Sequence, residues 1–295
     1  MPSHDPPAGR RCAVLGRPVA HSLSPVLHRA AYARLGLDWS YQAIEVDEAG
    51  LPELVRSLDG SWRGLSLTMP LKRAALGLAD QVSTTARVVG AANTLVQGVP
   101  GRWAAHNTDV PGMVAALREL DAVPSGRTAV VGGGATAVSA LAALARLGVA
   151  EPEVYVRSPQ RADEVGLAAG RLSVHPVIRH WDEVEEALEA DLVVSTTPAG
   201  ATDALADRLA AVPPTATTGA GRATGPVLFD VVYAPWPTRL AAAWARRGGT
   251  VLGGLDLLVH QAVLQVRLFT GRDVAVSVLR AAPVDGGTGA AGPSP

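Results

Sequence analysis

Lys72 is the only lysine among 26 basic residues; the other 25 are arginine. Arginine stays protonated at any working pH, whereas a lysine amine gives up its proton when desolvated or set near other charge. In a composition that replaces lysine by arginine wherever either serves, the one position that keeps the amine is a candidate acid/base group. Asparagine is equally scarce, present only at Asn93 and Asn107. Lys72 ends the segment Gly64-Leu65-Ser66-Leu67-Thr68-Met69-Pro70-Leu71-Lys72, just past an apolar run. The asparagines fall in Gly90-Ala91-Ala92-Asn93-Thr94-Leu95 and His106-Asn107-Thr108-Asp109, the second supplying a carboxylate. Buried turn caps account for the asparagines at no functional cost, and an N-cap role does the same for Asp109.

A second cluster is Gly16-Arg17-Pro18-Val19-Ala20-His21-Ser22-Leu23-Ser24-Pro25. It places two hydroxyls, Ser22 and Ser24, at the start of a helix, where free amides and the helix dipole suit a carboxylate. Capping explains Ser24 but not Ser22. His21 and His28 lie nearby without acidic or cysteine partners, so no metal site is expected. Further on, Gly132-Gly133-Gly134-Ala135-Thr136-Ala137 fits G-x-G-x-x-A between an apolar strand and a helix, the dinucleotide-binding turn. Gly132 permits the tight turn, and Gly134 lets backbone amides approach a pyrophosphate. The next strand ends in Arg157-Ser158-Pro159-Gln160-Arg161, two cations and a hydroxyl with no acid. A carboxylate there would accept the ribose hydroxyls of NAD; two arginines instead suit a 2′-phosphate, which favours NADP.

These groups need a scaffold that brings strand ends together. Apolar runs at 12–15, 41–46, 64–69, 94–97, 103–106, 128–131, 153–156, 191–195 and 227–231 predict strands. Helical spacing or caps predict helices at 24–35, 48–58, from near Lys72, 109–120, 138–147, 161–172 and 255–270, with Ser24 and Asp109 as N-caps. Strands alternating with helices indicate α/β architecture with largely parallel sheets, which bind ligands at their strand ends. The segments 1–10, 213–225 and 282–295 read as mobile or surface chain. At 295 residues, 48% hydrophobic and 18% charged, the chain can bury a sizeable core and is not disordered. A net charge of −1 gives no general attraction to nucleic acid or membrane. One cysteine, Cys12, and a start without an apolar signal segment predict a cytoplasmic protein with no membrane span.

The ordered set G-x-P-x-x-H-S-x-S-P-x-x-H, T-x-P-x-K, G-A-x-N-T-L, N-T-D and L-V-x-Q-A, with the glycine turn, resembles the shikimate dehydrogenase family from about Val14 to Leu279. The resemblance implies NADP-dependent, reversible reduction of 3-dehydroshikimate in aromatic amino-acid and chorismate biosynthesis. It implies a substrate domain at 11–108 with a mostly parallel sheet, completed by 254–281, and a Rossmann-like NADP domain at 109–253. Lys72 and Asp109 would be the catalytic pair. Ser22, Ser24 and Tyr233 would hold the substrate carboxylate, and Thr68, Asn93 and Gln261 the ring hydroxyls. Gly132, Gly133, Gly134, Ala135, Thr136, Ala137, Arg157, Ser158 and Arg161 would hold NADP, with Thr197 by the ribose, Gly254 near the nicotinamide and Val231 also on the cofactor side. The family usually carries Asn where Ser66, Val156 and Ser195 stand and Met where Leu257 stands, departures that bear on hydrogen bonding near the adenine ribose and on nicotinamide packing. A broader quinate/shikimate dehydrogenase and a non-catalytic ligand sensor on the same scaffold are the competing readings; the intact Lys72/Asp109 pair disfavours the sensor. A homodimer is compatible with the family, although no interface signature is legible.

Overall fold

The computed structural model describes residues 9–120, 126–211 and 225–283. The elements run β1 (Arg11–Gly16), α1 (Ser24–Arg34), β2 (Ser40–Glu45), α2 (Leu51–Ser57), β3 (Trp62–Leu67), β4 (Gln81–Val82), α3 (Thr84–Val89), β5 (Thr94–Gln97) and β6 (Trp103–His106). After α4 (Asp109–Glu119) come β7 (Thr128–Val131), α5 (Ala135–Arg146), β8 (Glu153–Val156), α6 (Pro159–Leu172), β9 (Val177–His180) and β10 (Leu192–Ser195). The chain continues with α7 (Asp203–Ala211), β11 (Val227–Asp230), α8 (Arg239–Arg246), β12 (Thr250–Leu252), α9 (Gly254–Thr270) and α10 (Val276–Arg280).

Two six-stranded sheets result. The first has the order β2-β1-β3-β5-β6-β4 and is parallel apart from β5, which runs antiparallel to both β3 and β6. The second, β12-β11-β10-β7-β8-β9, is parallel throughout. Its order reverses between β7 and β10, the switch point of a doubly wound sheet, so its ligand crevice lies beyond the carboxyl ends of those two strands. Both faces of this sheet are covered: α4, α5 and α6 pack on one, α7, α8 and a 3-10 segment at Trp181–Glu189 on the other. That double burial explains why β7, β10 and β11 are buried end to end rather than alternating.

The long Ala/Leu helix α5 fits tightly because its small residues, Ala137, Ala140 and Ala143, sit in the core beside Leu141 and Leu144. The two lobes are joined through α4 and α9. Leu257 of α9 shares a core with Val110 and Met113 of α4. Gly112 makes the close approach possible, since a Cβ there would lie 3.1 Å from the backbone nitrogen of Gln261. Beyond the crossing, α9 returns to the first lobe, where Phe269 covers Gly64 of β3 and Val259, Ala262 and Val266 pack on Leu27 and Ala31 of α1.

Several local expectations need correction. Neither Ser24 nor Asp109 is an N-cap: each is the first residue of its helix, behind Leu23 and Thr108 respectively. In each case a side chain one position further back does the capping. Ser22 Oγ accepts from the Ser24 amide at 3.3 Å, and Asn107 Oδ1 accepts from the Val110 amide at 3.1 Å. The segment after Lys72 is a short 3-10 turn at Ala74–Leu78 rather than an α-helix. β9, a strand with mostly exposed residues at the sheet edge, had no apolar run to announce it. Ala282 is buried against α1 and α9 instead of starting a loose tail. The expectations for 1–8, 213–224 and 284–295 lie outside the described residues.

Candidate active site

The polar clusters meet in one cleft of about 290 Å³ between the two lobes. From the first sheet it receives Ser22 and Ser24 beyond β1, Thr68 and Lys72 beyond β3, and Asn93 at the head of β5. Asp109 and Gln261 enter from α4 and α9, and Tyr233 from the segment after β11. All eight residues expected in the catalytic and substrate-binding sets therefore line the same space. Thr136, Val231 and Gly254 border it on the side of the second sheet.

At its floor, Lys72 Nζ donates to Asp109 Oδ2 at 2.7 Å, with side chains only 16% and 6% exposed. Lys72 is held by its own backbone, whose carbonyl accepts from the Ala92 amide at 2.7 Å. Because Asn107 caps α4, the Asp109 carboxylate is free of that duty and faces the amine. Its other oxygen, Oδ1, accepts from Asn93 Nδ2 at 2.8 Å. The Asn93 amide is oriented in turn by the Thr108 N–H, which donates to Oδ1 at 2.8 Å. An ion pair this sheltered holds its geometry, and removing one partner strands the other charge at a typical cost of about 3–5 kcal/mol. Asn107, by contrast, serves structure: it caps α4, and its amide donates to Ala91 O and Ser139 Oγ.

Across the cleft, Ser22 and Ser24 flank the first turn of α1, whose dipole favours an anion. Tyr233 reaches toward Ser22, and burial pushes its phenol above the usual range despite that hydrogen bond. Thr68 is fixed by a backbone bond from its amide to Leu15 O at 2.9 Å. The first lobe thus offers two serine hydroxyls and a phenol at one end, a row of neutral hydrogen-bonding groups and an ammonium–carboxylate pair. That set suits a small polyhydroxy acid carrying a carbonyl or alcohol to be protonated or deprotonated.

On the second lobe, Gly132 adopts φ +120° and a Cβ there would lie 2.5 Å from Thr196 Oγ1, so only glycine makes this turn. Gly133 is equally confined, by Arg161 and Val156 at 2.9 Å, while Gly134 faces open space at the start of α5. The helix has no side-chain cap, which leaves its first-turn amides at Ala135, Thr136 and Ala137 for an anion. Thr197, at the end of β10 across the crevice, has a buried hydroxyl with no hydrogen-bond partner, as a ligand-facing group would. Arg157 lies over the Trp181 ring at 4.3 Å, and Arg161 pairs with Glu164 at 2.6 Å. Ser158 caps α6 by accepting from the Arg161 amide at 3.4 Å. Glu164 also holds Arg73 of the other lobe at 2.7 Å. The residues present fit a dinucleotide with an extra phosphate: an open glycine turn, an orphan hydroxyl and two exposed cations. Gly254 is excluded from carrying any side chain, because a Cβ would meet Val231 O at 2.1 Å.

Ser66 stands apart from its expected association with the cofactor. It lines the substrate side of the cleft, bonded to Tyr41 and Gln265. Tyr41, Thr94 and Thr108 behind the site, and Gln265 in its wall, take part in the network without having been singled out. For Gln265 the available signal was its spacing, four residues after Gln261 in a helix otherwise rich in Leu and Val. Among the described residues no three His, Cys, Asp or Glu side chains come together as a metal site, and no helix is long and apolar enough to cross a membrane.

The doubly wound sheet with its open glycine turn, facing an acid/base cleft on a second α/β lobe, defines a two-domain α/β protein of the nucleotide-dependent oxidoreductase type. Comparison with known proteins narrows the class. The chain matches the family descriptions "Shikimate dehydrogenase substrate binding domain" over residues 14–95 and "Shikimate 5'-dehydrogenase C-terminal domain" over residues 254–282. It is 37% identical to the shikimate dehydrogenase (NADP(+)) of Methylobacterium radiotolerans over 86% of this chain and 88% of that protein. With the enzyme of the same name from Thermus thermophilus it shares 39% over 88% and 92%. Among solved structures, Mycobacterium tuberculosis shikimate dehydrogenase superposes with a TM-score of 0.80 at 40% identity, covering 92% of this chain and 98% of that one. The Thermus thermophilus shikimate 5-dehydrogenase, solved in complex with NADP(H) and shikimate, does so at 0.76 and 35%, covering 92% and 98%. This chain belongs to the shikimate dehydrogenase family.

Proposed function

We propose that this chain catalyses the reversible, NADP-dependent interconversion of shikimate and 3-dehydroshikimate, a step of aromatic amino-acid and chorismate biosynthesis. The observation that carries the reading is the Lys72–Asp109 pair at 2.7 Å in a cleft that Ser22, Ser24 and Tyr233 also line. Bound NADP contributes hydride exchange at the C3 carbon. The remaining work belongs to the protein. Ser22, Ser24 and Tyr233 hold the substrate carboxylate, and Thr68, Asn93 and Gln261 hold ring hydroxyls, which turns the C3 oxygen toward Lys72. In reduction Lys72 Nζ gives its proton to that oxygen as negative charge develops, and in oxidation it takes the proton back. Asp109 keeps the amine aimed at the oxygen and is itself held by Asn93. General acid/base help of this kind is worth about 10²- to 10⁴-fold, or roughly 3–5 kcal/mol of barrier.

On the cofactor side, the turn from Gly132 to Ala137 receives the pyrophosphate, and Arg157, Ser158 and Arg161 the 2′-phosphate. Thr197 borders the ribose, and Val231 with Gly254 walls the nicotinamide. The domain division follows: 11–108 with 254–281 for substrate, 109–253 for NADP. We further assign the protein to the cytoplasm. Its one cysteine, Cys12, is buried with its thiol pushed up to about 12 by desolvation, which suits a protein needing no disulfide. A homodimer is the expected assembly.

Initial rates of cofactor reduction with shikimate or quinate, each with NADP+ or NAD+, test the assignment. Shikimate with NADP+ is expected to be the fastest pair by at least about tenfold, as loss of a charge-assisted phosphate contact costs more than 1.4 kcal/mol. Equal rates with NAD+, or a preference for quinate, would replace the assignment with the broader dehydrogenase. Binding without any turnover would make the protein a sensor.

A further inference from the structure

From Tyr41 and Thr94 behind the cleft to Ser66, Gln265, Asn93, Asp109 and Lys72 in its wall, seven side chains form a continuous hydrogen-bonded chain whose direction is fixed at every link. Tyr41 Oη donates to Ser66 Oγ at 2.6 Å, and Ser66 Oγ donates to Gln265 Oε1 at 2.8 Å. Gln265 Nε2 donates to Thr94 Oγ1 at 2.8 Å, and Thr94 Oγ1 donates to Asn93 Oδ1 at 2.9 Å. Asn93 Nδ2 donates to Asp109 Oδ1, and Lys72 Nζ to Asp109 Oδ2. Two backbone groups decide the sense of the whole series. The Asn93 carbonyl, which can only accept, lies 3.2 Å from Gln265 Nε2 and fixes which end of that amide faces β5. The Thr108 N–H, which can only donate, lies 2.8 Å from Asn93 Oδ1 and fixes that amide in turn. Gln265 Oε1 therefore must face Ser66, which spends its one proton there and takes the Tyr41 proton on a lone pair.

We propose that Gln265 is a positioning residue for the reaction. Through Thr94 it adds a further donor to the Asn93 oxygen that the Thr108 N–H orients, so it helps hold Asn93 and with it Asp109 and Lys72, and it also makes Ser66 a hydrogen-bond acceptor toward the cleft. The inference deepens the dehydrogenase reading and rests on it. Gln265 is fully buried and makes three hydrogen bonds at its amide, none of which a ligand has to supply. With its proton committed, Ser66 has only a lone pair to offer, so the substrate atom set against it is a hydroxyl that donates, never a carboxylate or ketone oxygen. Mispointing a charged pair by a fraction of an ångström is costly to chemistry and nearly invisible to overall folding.

The charged and titratable groups along this chain are Tyr41 on β2, Lys72 beyond β3 and Asp109 at the start of α4, with His28 of α1 stacked on Tyr41 at 4.1 Å. Glutamate at position 265 would add one more. Its protonated form carries one donor and one acceptor and can reproduce the Ser66 and Thr94 links; its ionised form has no donor and faces the Asn93 carbonyl. In Gln265→Glu, kcat for shikimate oxidation relative to wild type is expected to fall progressively as pH rises, an ionisation the wild type lacks, while NADP+ binding followed by fluorescence titration stays within about twofold. Thr94→Val, which keeps the shape and removes the hydroxyl link, should lower kcat roughly ten- to hundredfold with little change in KM and no added ionisation. If wild type turns over shikimate but Gln265→Glu keeps the wild-type pH profile, or Thr94→Val keeps its kcat, Gln265 serves packing alone and the proposal fails. An inactive wild type with intact NADP+ binding would instead overturn the dehydrogenase reading. Should Gln265→Glu not fold, the Thr94→Val kcat decides the question.

Discussion

His28 shows how a single buried ring can support a ligand site without touching it. Its Nδ1 donates to Ser24 O at 2.9 Å, the ring stacks on Tyr41, and the whole side chain is sealed from solvent. Desolvation lowers its pKa from 6.5 to about 4, so the folded protein holds a neutral imidazole. The unfolded chain takes up a proton below about 6.5, so stability is complete above that pH and falls as pH drops toward about 4, where the folded form titrates as well. The full difference is worth about 3 kcal/mol. Replacing His28 by Phe should therefore flatten unfolding free energy between pH 6.5 and 4 by roughly that amount, read from urea titrations at several pH values. An unchanged slope would show that the ring does not carry the dependence. The residue scale is also where sequence legibility was uneven. Lys72 was exposed by its solitude in an arginine-rich chain. Gln265 and Ser66 were not, because a polar residue's partner choice depends on elements 25 to 199 positions away in the chain.

Elements were legible where the apolar run itself was buried. β5, β6, β7 and β8 fall at their expected residues because the apolar residues each carries are mostly buried in the core. β9 and β12 were not, being short edge strands of mostly exposed or half-buried residues, and α7 and α8 are Ala-rich helices whose apolar stripe is narrow. Helix starts misled for a different reason: Ser24 and Asp109 look like caps, but the capping oxygens come from Ser22 and Asn107, and the two residues are left for the cleft. The docking of α9 on the first sheet is the contact on which the cleft most depends, since α9 carries Gln261 and Gln265. A Cβ at Gly64 would lie 2.1 Å from the buried Phe269 ring. Gly64→Ala should cost about 1–3 kcal/mol in urea unfolding through overpacking, and should raise KM for shikimate as α9 is pushed outward. A variant as stable as wild type with an unchanged KM would show that α9 is held elsewhere.

For the molecule as a whole, each half of the site is incomplete alone. The two serines at the start of α1, the ion pair and the row of hydroxyls belong to the first lobe, while the glycine turn and the arginines belong to the second. They are joined by the α4–α9 crossing and, at the surface, by Glu164, which holds Arg73 of one lobe and Arg161 of the other. Exposed pairs of this kind contribute about 0–1 kcal/mol, so the packed helices rather than the ion pairs set the relation of the lobes. The two-lobe α/β plan was readable from alternating strands and helices, but the cleft between lobes is a product of long-range packing that no local pattern encodes. The most direct test of the account is the turnover of Lys72→Arg, measured beside the dissociation constants for NADP+ and shikimate. Arginine keeps the charge beside Asp109 but does not readily release a proton. The account predicts kcat lowered by about 10²- to 10⁴-fold with both dissociation constants within a few-fold of wild type; a purified variant turning over shikimate at close to the wild-type rate would contradict it.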